Sequence, residues 1–397
     1  MSVSSRPVWA HSLSSTVVLM APFDLLASLA MDVYLPAVPV MPEALGASAA
    51  TVQLTLSLYL LMLGLGQLVF GPLSDRIGRR PVLLAGGSLF VLASLALALV
   101  TTGTAFLAWR VVQALGASAA LVATFATVRD VYADLPESAT IYGLFSAMLA
   151  FVPALGPILG AFVIQAWGWR AVFGLLGLLG VLALGRAGRH WPETRERRCR
   201  ASRASLRAVL SHGDFWIYTV GFSAAMGAFF VFFSTAPRVL ISGAGLSPLA
   251  FSVIFGAVAS VMIVTTRFTG GALARWGIPG CLVRGAATMM GGACCLAVTT
   301  LSWPGAWLGF VLPMGVIAVG IVLMVSVTAS GALRAFDETA GLAVACYYAV
   351  QSVIVVVVGT AATLGLGGDT PWPLATYAVV MPALAVAGLA ASRRVAG

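Results

Sequence analysis

The stretch QLTLSLYLLMLGLGQLVFGPLSDRIGRRP, residues 53–81, joins a long apolar run to a polar loop that holds Asp75 and three arginines. The apolar part belongs to a predicted span at 50–72. About 20 mostly apolar residues are enough to cross the hydrocarbon core of a bilayer as a helix. The stretch therefore predicts a transmembrane helix that ends in a charged loop.

The composition of the whole chain agrees with a membrane protein. Of its 397 residues, 60% are hydrophobic and 9% are charged, whereas soluble domains carry about 25% charged residues. We predict an all-α membrane protein with twelve transmembrane helices, after dividing the chain at charges, turns, and Pro and Gly clusters. The predicted spans cover roughly residues 13–36, 50–72, 81–101, 105–128, 139–165, 170–188, 214–237, 249–269, 280–301, 305–329, 338–362 and 372–391.

Basic residues set the predicted orientation, because short cytoplasmic loops of membrane proteins are enriched in Lys and Arg. All 22 basic residues are Arg, and the formal net charge is +9. If both termini are cytoplasmic, most of these arginines lie in cytoplasmic loops. The exceptions are Arg170 and Arg238 on the outer side and Arg110 within the fourth span. Arg110 is therefore a candidate functional charge inside the membrane.

One long polar stretch divides the chain into halves. Residues 1–188 form the predicted N-terminal six-helix bundle, 189–213 a basic cytoplasmic linker at the anionic lipid surface, and 214–397 the C-terminal six-helix bundle. A degenerate repeat of GPLSDRIGRR, residues 71–80, occurs in the second half as GALARWG, residues 271–277. Paired halves are typical of transporters that bind substrate near mid-membrane, between the repeats.

Three motifs resemble those of the major facilitator superfamily. They are GPLSDRIGRRP after the second span, FLAWRVVQALGAS at 106–118, and PALGPILGA at 153–161. The last resembles the Gly-Pro motif of drug/proton antiporters, although Val152 and Ala161 stand where that motif usually has Gly. The resemblance implies the major facilitator fold, with two pseudo-symmetric six-helix bundles. It also assigns a conformational role to Gly71, Asp75, Arg76, Gly78, Arg79, Arg80, Gly156 and Pro157.

These motif residues allow two interpretations each. The loop arginines either latch the outward-open state, by bonding carboxylates or helix C-terminal carbonyls, or only reflect the enrichment of Arg in cytoplasmic loops. Asp75 is expected to cap the next helix or to pair with a cytoplasmic Arg. Gly156 and Pro157 either act as a gating hinge or allow close helix packing.

Longer stretches are similar to the chloramphenicol and florfenicol exporters of this superfamily. APFDLLASLAMDVYLP, LVATFATVRDVYA, IYGLFSAMLAFVPALGP and FWIYTVGFSAAMGAFFVFFSTAPRVLI carry the resemblance, which continues in MIVTTRF and VSVTASGALRAFD. It implies proton-coupled efflux of phenicol antibiotics across a bacterial plasma membrane, by a monomer without cofactor or metal. The alternative is a broader multidrug/proton antiporter of the same branch, which takes bicyclomycin-like or cationic drugs.

Asp24 and Asp32 are the central candidates, because a charge inside a membrane span is costly and usually functional. Eight helical residues turn through about 800° and rise about 12 Å, so both carboxyls can border one cavity at two depths, with Arg110 between them. Burial favours a protonated carboxyl, and a nearby guanidinium favours the ionised one. We therefore expect protons and drug to compete here. A structural ion pair between one Asp and Arg110 is the alternative.

Further side chains are predicted to contact the drug. Tyr59 and Gln113 are polar residues in the second and fourth spans, and Phe222, Met226 and Phe229 lie in the aromatic seventh span. Phenicols are neutral and carry hydroxyl and amide donors that a carboxylate accepts, and their ring can pack on aromatic side chains. Packing or lipid contact is the alternative role of the residues in the seventh span.

Other classes of protein fit the sequence less well. The five cysteines show no metal-ligand spacing, and the three histidines lie near or outside the cytoplasmic membrane boundary. We expect no enzyme activity and no metal. The basic linker is too short for a domain that binds nucleic acid. A channel is a further alternative class, and it differs from an antiporter because it would pass substrate without a proton gradient.

Overall fold

A computed structural model of the chain describes residues 9, 11–132, 135, 137–195, 206–336 and 340–396. Every regular element in these ranges is a helix. The chain divides into two compact units, Met1–Arg200 and Ala201–Gly397. Part of the predicted linker, residues 196–205, lies outside the described residues, as do Arg6 and Cys199.

The N-terminal unit is built from long, apolar helices. Their bounds are α1 Leu13–Asp32, α2 Met41–Ala44, α3 Ala49–Ile77, α4 Arg79–Leu99, α5 Gly103–Tyr132, α6 Glu137–Trp167 and α7 Trp169–His190. A 3₁₀ turn at Leu35–Ala37 follows α1. Together they form one candidate span, Leu13–Ala37, which confirms the predicted span at 13–36. The α-helix ends at Asp32 because Pro36, four residues on, has no N–H to donate to the Asp32 carbonyl.

The C-terminal unit contains α8 Leu206–Leu210, α9 Gly213–Pro237, α10 Pro248–Ser302, α11 Trp307–Leu333, α12 Ala340–Gly365 and α13 Trp372–Ala396. A short π-helix, Arg238–Gly243, extends α9. Sequence reasoning did not predict this extension or the short helices α2 and α8.

Helix α10 joins two spans that were predicted to be separate. Its 55 residues comprise two helical segments, 248–276 and 278–302, that meet at a kink. Each segment is about 40 Å long at 1.5 Å per residue, enough to cross the roughly 30 Å hydrocarbon core. Gly277 interrupts α10 with non-helical angles, φ 65° and ψ 177°. A positive φ of this kind suits glycine, which has no Cβ to clash with the carbonyl.

The described residues hold eleven helices long and apolar enough to cross a membrane. The protein is thus an all-helical, multi-pass membrane protein, as predicted. The predicted count of twelve differs by one because 249–269 and 280–301 both fall in α10.

Paired glycines bring neighbouring helices close together in both units. A Cβ on Gly86 of α4 would lie 2.9 Å from the carbonyl oxygen of Gly116 in α5, and one on Gly116 would lie 2.7 Å from that of Gly86. Gly285 of α10 and Gly320 of α11 make the same reciprocal contact, at 3.0 and 2.6 Å. Both units therefore use paired glycines to bring two helices into close contact, as small residues allow in membrane proteins.

Candidate functional site

Helix α1 carries both acidic candidates into the interior of the N-terminal unit. Asp24 and Asp32 are 1% and 5% exposed. Oδ2 of Asp24 and Oδ1 of Asp32 are buried without a hydrogen-bond partner. Leaving a buried polar atom unpaired costs about 1–3 kcal/mol, and more when it is charged. The two carboxyls are therefore places where a proton or a donor group of a ligand would be stabilised.

Arg110 of α5 is completely buried, and aromatic rings and neutral oxygens surround its charge. Its guanidinium carbon lies 4.7 Å from the ring centre of Tyr34 and 4.2 Å from that of Tyr59. Its NH1 donates to the carbonyl of Ala30 at 2.9 Å and to Oε1 of Gln113 at 2.6 Å. Such cation–π contacts gain about 2 kcal/mol or more when water is excluded.

No carboxylate forms an ion pair with Arg110 among the described residues, which include Asp24 and Asp32. Nε of Arg110 is itself buried without a partner. The ion pair that the sequence left open as an alternative is absent from this conformation.

Tyr59 and Gln113, predicted as drug contacts, are engaged within the unit. The Tyr59 hydroxyl donates to the carbonyl of Ala27 in α1 at 2.7 Å. Nε2 of Gln113 donates to Oγ of Ser94 in α4 at 2.8 Å, while its Oε1 accepts from Arg110. In this conformation Gln113 holds the Arg110 guanidinium, and Tyr59 bonds to the backbone of α1. Their role in drug contact remains a prediction.

Tyr34 and Ser94 are parts of this site that sequence reasoning missed. Tyr34 stacks on Arg110, and its hydroxyl lies 3.1 Å from Oγ1 of Thr55 in α3. Ser94 receives the Gln113 amide. Tyr34 lies two residues after Asp32, so its position in the acidic stretch could have indicated that it belongs to the site. Ser94 offered none, because a single Ser in an apolar helix is common.

The Gly-Pro motif of α6 contacts α1 at Asp32. A Cβ on Gly156 would lie 2.9 Å from Cβ of Asp32, and one on Gly160 would collide with the carbonyl oxygen of Val33. Helix α6 is continuous through Pro153 and Pro157. Here the motif serves close packing beside the buried carboxyl, which is one of the two roles expected for it.

The charged residues predicted to form a loop lie in the end of α3 and the start of α4, with only Gly78 between the helices, and they form a network centred on Arg79. Nε of Arg79 donates to Oδ2 of Asp130 in α5 at 2.7 Å, and NH1 bonds Oγ of Ser74 at 2.9 Å and Asp75. Arg129 lies 3.8 Å from the same Asp75 oxygen. Asp75 therefore pairs with arginines, one of its two expected roles. Asp130 was not predicted, although it sits in the stretch LVATFATVRDVYA.

Glu193, also missed, caps α4 in place of Asp75. Its carboxylate accepts the backbone N–H groups of Arg79 at 2.8 Å and Arg80 at 3.1 Å. Carboxylates at a helix N-terminus satisfy free N–H groups and favour the helix dipole. A Cβ on Gly78, whose φ is 112°, would collide with this carboxylate. Glycine is thus required there for both its backbone angle and its lack of a side chain.

The other motif residues make fewer contacts. Arg80 donates through NH2 to the carbonyl of Gly188 at 2.8 Å, near the C-terminus of α7. Arg76 is exposed, and a Cβ on Gly71 would meet nothing within 4 Å. The partners described for these residues belong to the N-terminal unit.

The seventh-span candidates lie on one face of α9. Phe222, Met226 and Phe229 are half-buried, whereas the residues around them in this helix are buried. Phe222 stacks on Tyr347 of α12 at 5.0 Å, and Phe229 packs on Phe255 of α10 at 6.2 Å. These three side chains therefore share a partly open, aromatic surface.

Comparison with known proteins identifies the family. The Major Facilitator Superfamily profile matches residues 23–360. The chain belongs to the major facilitator superfamily. It is 49% identical over 390 residues, 98% of this chain and 93% of the relative, to the "Chloramphenicol resistance protein" of Pseudomonas aeruginosa. Membership in this transporter family confirms the resemblance read from the sequence motifs.

Two more distant similarities agree with the family. The "Multidrug resistance protein D" of Escherichia coli strain K12 is 27% identical over 335 residues, 82% of either chain. A D-xylose-proton symporter has a solved structure that superposes with a TM-score of 0.77 over 94% of this chain and 97% of its own, at 16% identity. The latter likeness shows the major facilitator fold.

Proposed function

We propose that this transporter exports phenicol antibiotics, chloramphenicol or florfenicol, in exchange for protons, and so confers resistance. The observation that carries the proposal is the 49% identity, across 98% of the chain, to the chloramphenicol resistance protein of Pseudomonas aeruginosa. Alternating access between two bundles is the mechanism we assign, since the family is built from paired repeats.

Asp24 and Asp32 form the proposed exchange site. Each has a buried oxygen without a partner, and the Arg110 charge is held by other groups. Burying an unpaired carboxylate is costly, and binding a proton removes that cost. A drug hydroxyl or amide that donates to the same oxygen offsets the cost differently. Proton and drug would then compete, which couples their movements in opposite directions.

The membrane potential is sufficient to drive this exchange. Trading one proton for one neutral drug moves one positive charge inward, which is worth about 2.3 kcal/mol per 100 mV. At 1.4 kcal/mol per tenfold ratio, this sustains a drug gradient of roughly fifty-fold before any pH difference contributes.

The proposed arrangement in the membrane has twelve crossings, six on each side of the linker at 189–213. The non-helical Gly277 supports a turn between two crossings within α10. Both termini lie in the cytoplasm of a bacterial cell, the protein acts as a monomer in the plasma membrane, and the Arg79 network latches the outward-open state. Drug contacts come from the acidic site, Tyr59, Gln113 and the α9 surface.

A broader multidrug antiporter is the second candidate, favoured by the similarity to Multidrug resistance protein D. Minimum inhibitory concentrations for phenicols, bicyclomycin, cationic dyes and detergents, with and without the gene, separate the two. A phenicol exporter raises only the phenicol values. Resistance to several unrelated classes would replace phenicol specificity with the broader function.

Transport by purified protein in proteoliposomes tests the mechanism directly. We expect uphill phenicol transport that a protonophore abolishes, which also separates an antiporter from a channel. Asp24→Asn, Asp32→Asn and Arg110→Ala are compared with Asp369→Asn, an exposed acid in a loop. We expect loss of coupling in an Asp24 or Asp32 variant and normal transport in the control. Full uphill transport by both variants would refute the exchange site.

A further inference from the structure

A groove runs between α1 and α7 on the surface of the N-terminal unit. Its volume is about 900 Å³, and Val18, Leu29, Leu179 and Leu182 are among the aliphatic side chains that line it. Val18 is 51% exposed and Leu182 is 62% exposed, so the groove opens to its surroundings. An open aliphatic surface on a helix that crosses the bilayer is chemically suited to contact with acyl chains.

One end of the groove is basic. Arg186, Arg189 and His190 complete its lining, and no acidic residue contributes to it. Neither arginine has an ion pair or hydrogen bond among the described residues. The nearest acid in sequence, Glu193, is occupied by the N–H groups that cap α4. The positive charges at this end are therefore free to bind an anion.

The dimensions match one leaflet of a bilayer. Ten residues separate Leu179 from Arg189, which is about 15 Å along a helix and half of a roughly 30 Å hydrocarbon core. A chain that lies along the apolar wall would thus place its polar end beside the arginines. Basic pockets between transmembrane helices on the cytoplasmic side bind anionic headgroups.

We propose that this groove is a binding site for an anionic phospholipid of the cytoplasmic leaflet. The acyl chains lie against the aliphatic side chains of α1 and α7, and Arg186 and Arg189 bind the phosphate. The site rests on the cytoplasmic position of the end of α7 in the proposed function. It does not depend on which drug is carried or how protons are coupled.

The site adjoins the acidic helix. Pro22, Leu26 and Leu29 face the groove, and Asp24 lies about 200° around α1 from Pro22 at 100° per residue. A bound lipid would therefore support the back of the helix whose opposite face carries the buried carboxyl.

Native mass spectrometry of the full chain in detergent, with added phosphatidylglycerol or phosphatidylcholine of equal chain length, tests the proposal without drug or proton. We expect selective binding of one phosphatidylglycerol. Arg186→Gln with Arg189→Gln should lower that preference roughly thirty-fold, since each Arg near an anionic surface contributes about 1 kcal/mol and 1.4 kcal/mol is tenfold. Arg207→Gln with Arg267→Gln, exposed arginines outside the groove, is the charge-matched control.

A second pair of variants tests the apolar wall without disturbing packing. A Cβ on Gly185, which lines the groove, would meet nothing within 4 Å, and the same holds for Gly174 on α7 outside it. We expect Gly185→Leu to weaken binding of both lipids and Gly174→Leu to leave it unchanged. Equal binding of the two lipids by the unaltered protein, or equal loss in the groove and control variants, would overturn the site. Loss of drug transport with intact lipid selectivity would instead count only against the proposed function.

Discussion

The contact between α6 and α1 predicts a graded series of glycine substitutions. Gly160→Ala would make a methyl group collide with the carbonyl oxygen of Val33, so the two backbones must move apart. Gly156→Ala meets Cβ of Asp32 at 2.9 Å, a smaller conflict with a side-chain atom. Overpacking of this kind costs about 1–3 kcal/mol, with Gly160→Ala at or above the upper end.

Gly143 of the same helix supplies the matched control. A Cβ there meets nothing within 4 Å, and replacing an exposed helical Gly by Ala gains up to about 1 kcal/mol. Thermal unfolding in detergent, followed by tryptophan fluorescence, should therefore rank Gly143→Ala at or above the unaltered protein, then Gly156→Ala, then Gly160→Ala. Gly156→Ala should also slow phenicol transport, because it displaces Asp32.

The order of unfolding temperatures is decisive for the packing. If Gly160→Ala unfolds at the same temperature as Gly143→Ala, α6 does not approach α1 at Val33 as described. If Gly156→Ala unfolds early yet transports drug at the normal rate, the position of Asp32 does not limit transport.

Three further substitutions test other contacts. Arg79→Lys should lower the transport rate, because an ammonium cannot bond Asp130 and the end of α3 at the same time. The exposed control Arg76→Lys should leave the rate unchanged, and equal rates in the two variants would refute the network. Tyr59→Phe keeps the ring under Arg110 but removes the hydroxyl that donates to the Ala27 carbonyl, so the free energy of unfolding should fall by about 0.5–1.5 kcal/mol. An unchanged unfolding temperature would contradict the bond. Gly277→Ala should destabilise by about 1–3 kcal/mol, because its φ of 65° and ψ of 177° lie in a region that only glycine normally occupies. Gly270→Ala, which meets open space, should not, and equal unfolding temperatures would contradict the break in α10.

Sequence patterns predicted the helical membrane class because hydrophobic length alone sets bilayer crossing. Short motifs indicated the family, and the cost of intramembrane charge singled out Asp24, Asp32 and Arg110. These signals are local and can be read in a window of some twenty residues.

Contacts between distant helices could not be predicted in the same way. Glu193 reaches the N-terminus of α4 across more than a hundred residues of chain, and Asp130 pairs with Arg79 from another helix. The face that a helix turns toward its neighbour depends on how the helix is rotated and packed. Helices that are apolar on all sides give no sequence signal for that face. The ion pair left open as an alternative could not be decided from the sequence for the same reason, and in the structure Arg110 lies against Tyr34 and Tyr59.

The enclosure of Arg110 by two aromatic rings has an electrical consequence. No carboxylate among the described residues pairs with Arg110 in this conformation, so each proton taken up by Asp24 or Asp32 in the proposed exchange would change the net charge of the buried site. The site then ranges from positive, with both acids protonated, to negative, with both ionised. Such a carrier responds to voltage as well as to acidity. A potassium diffusion potential across proteoliposomes, at equal pH on both sides, should therefore drive phenicol transport by itself.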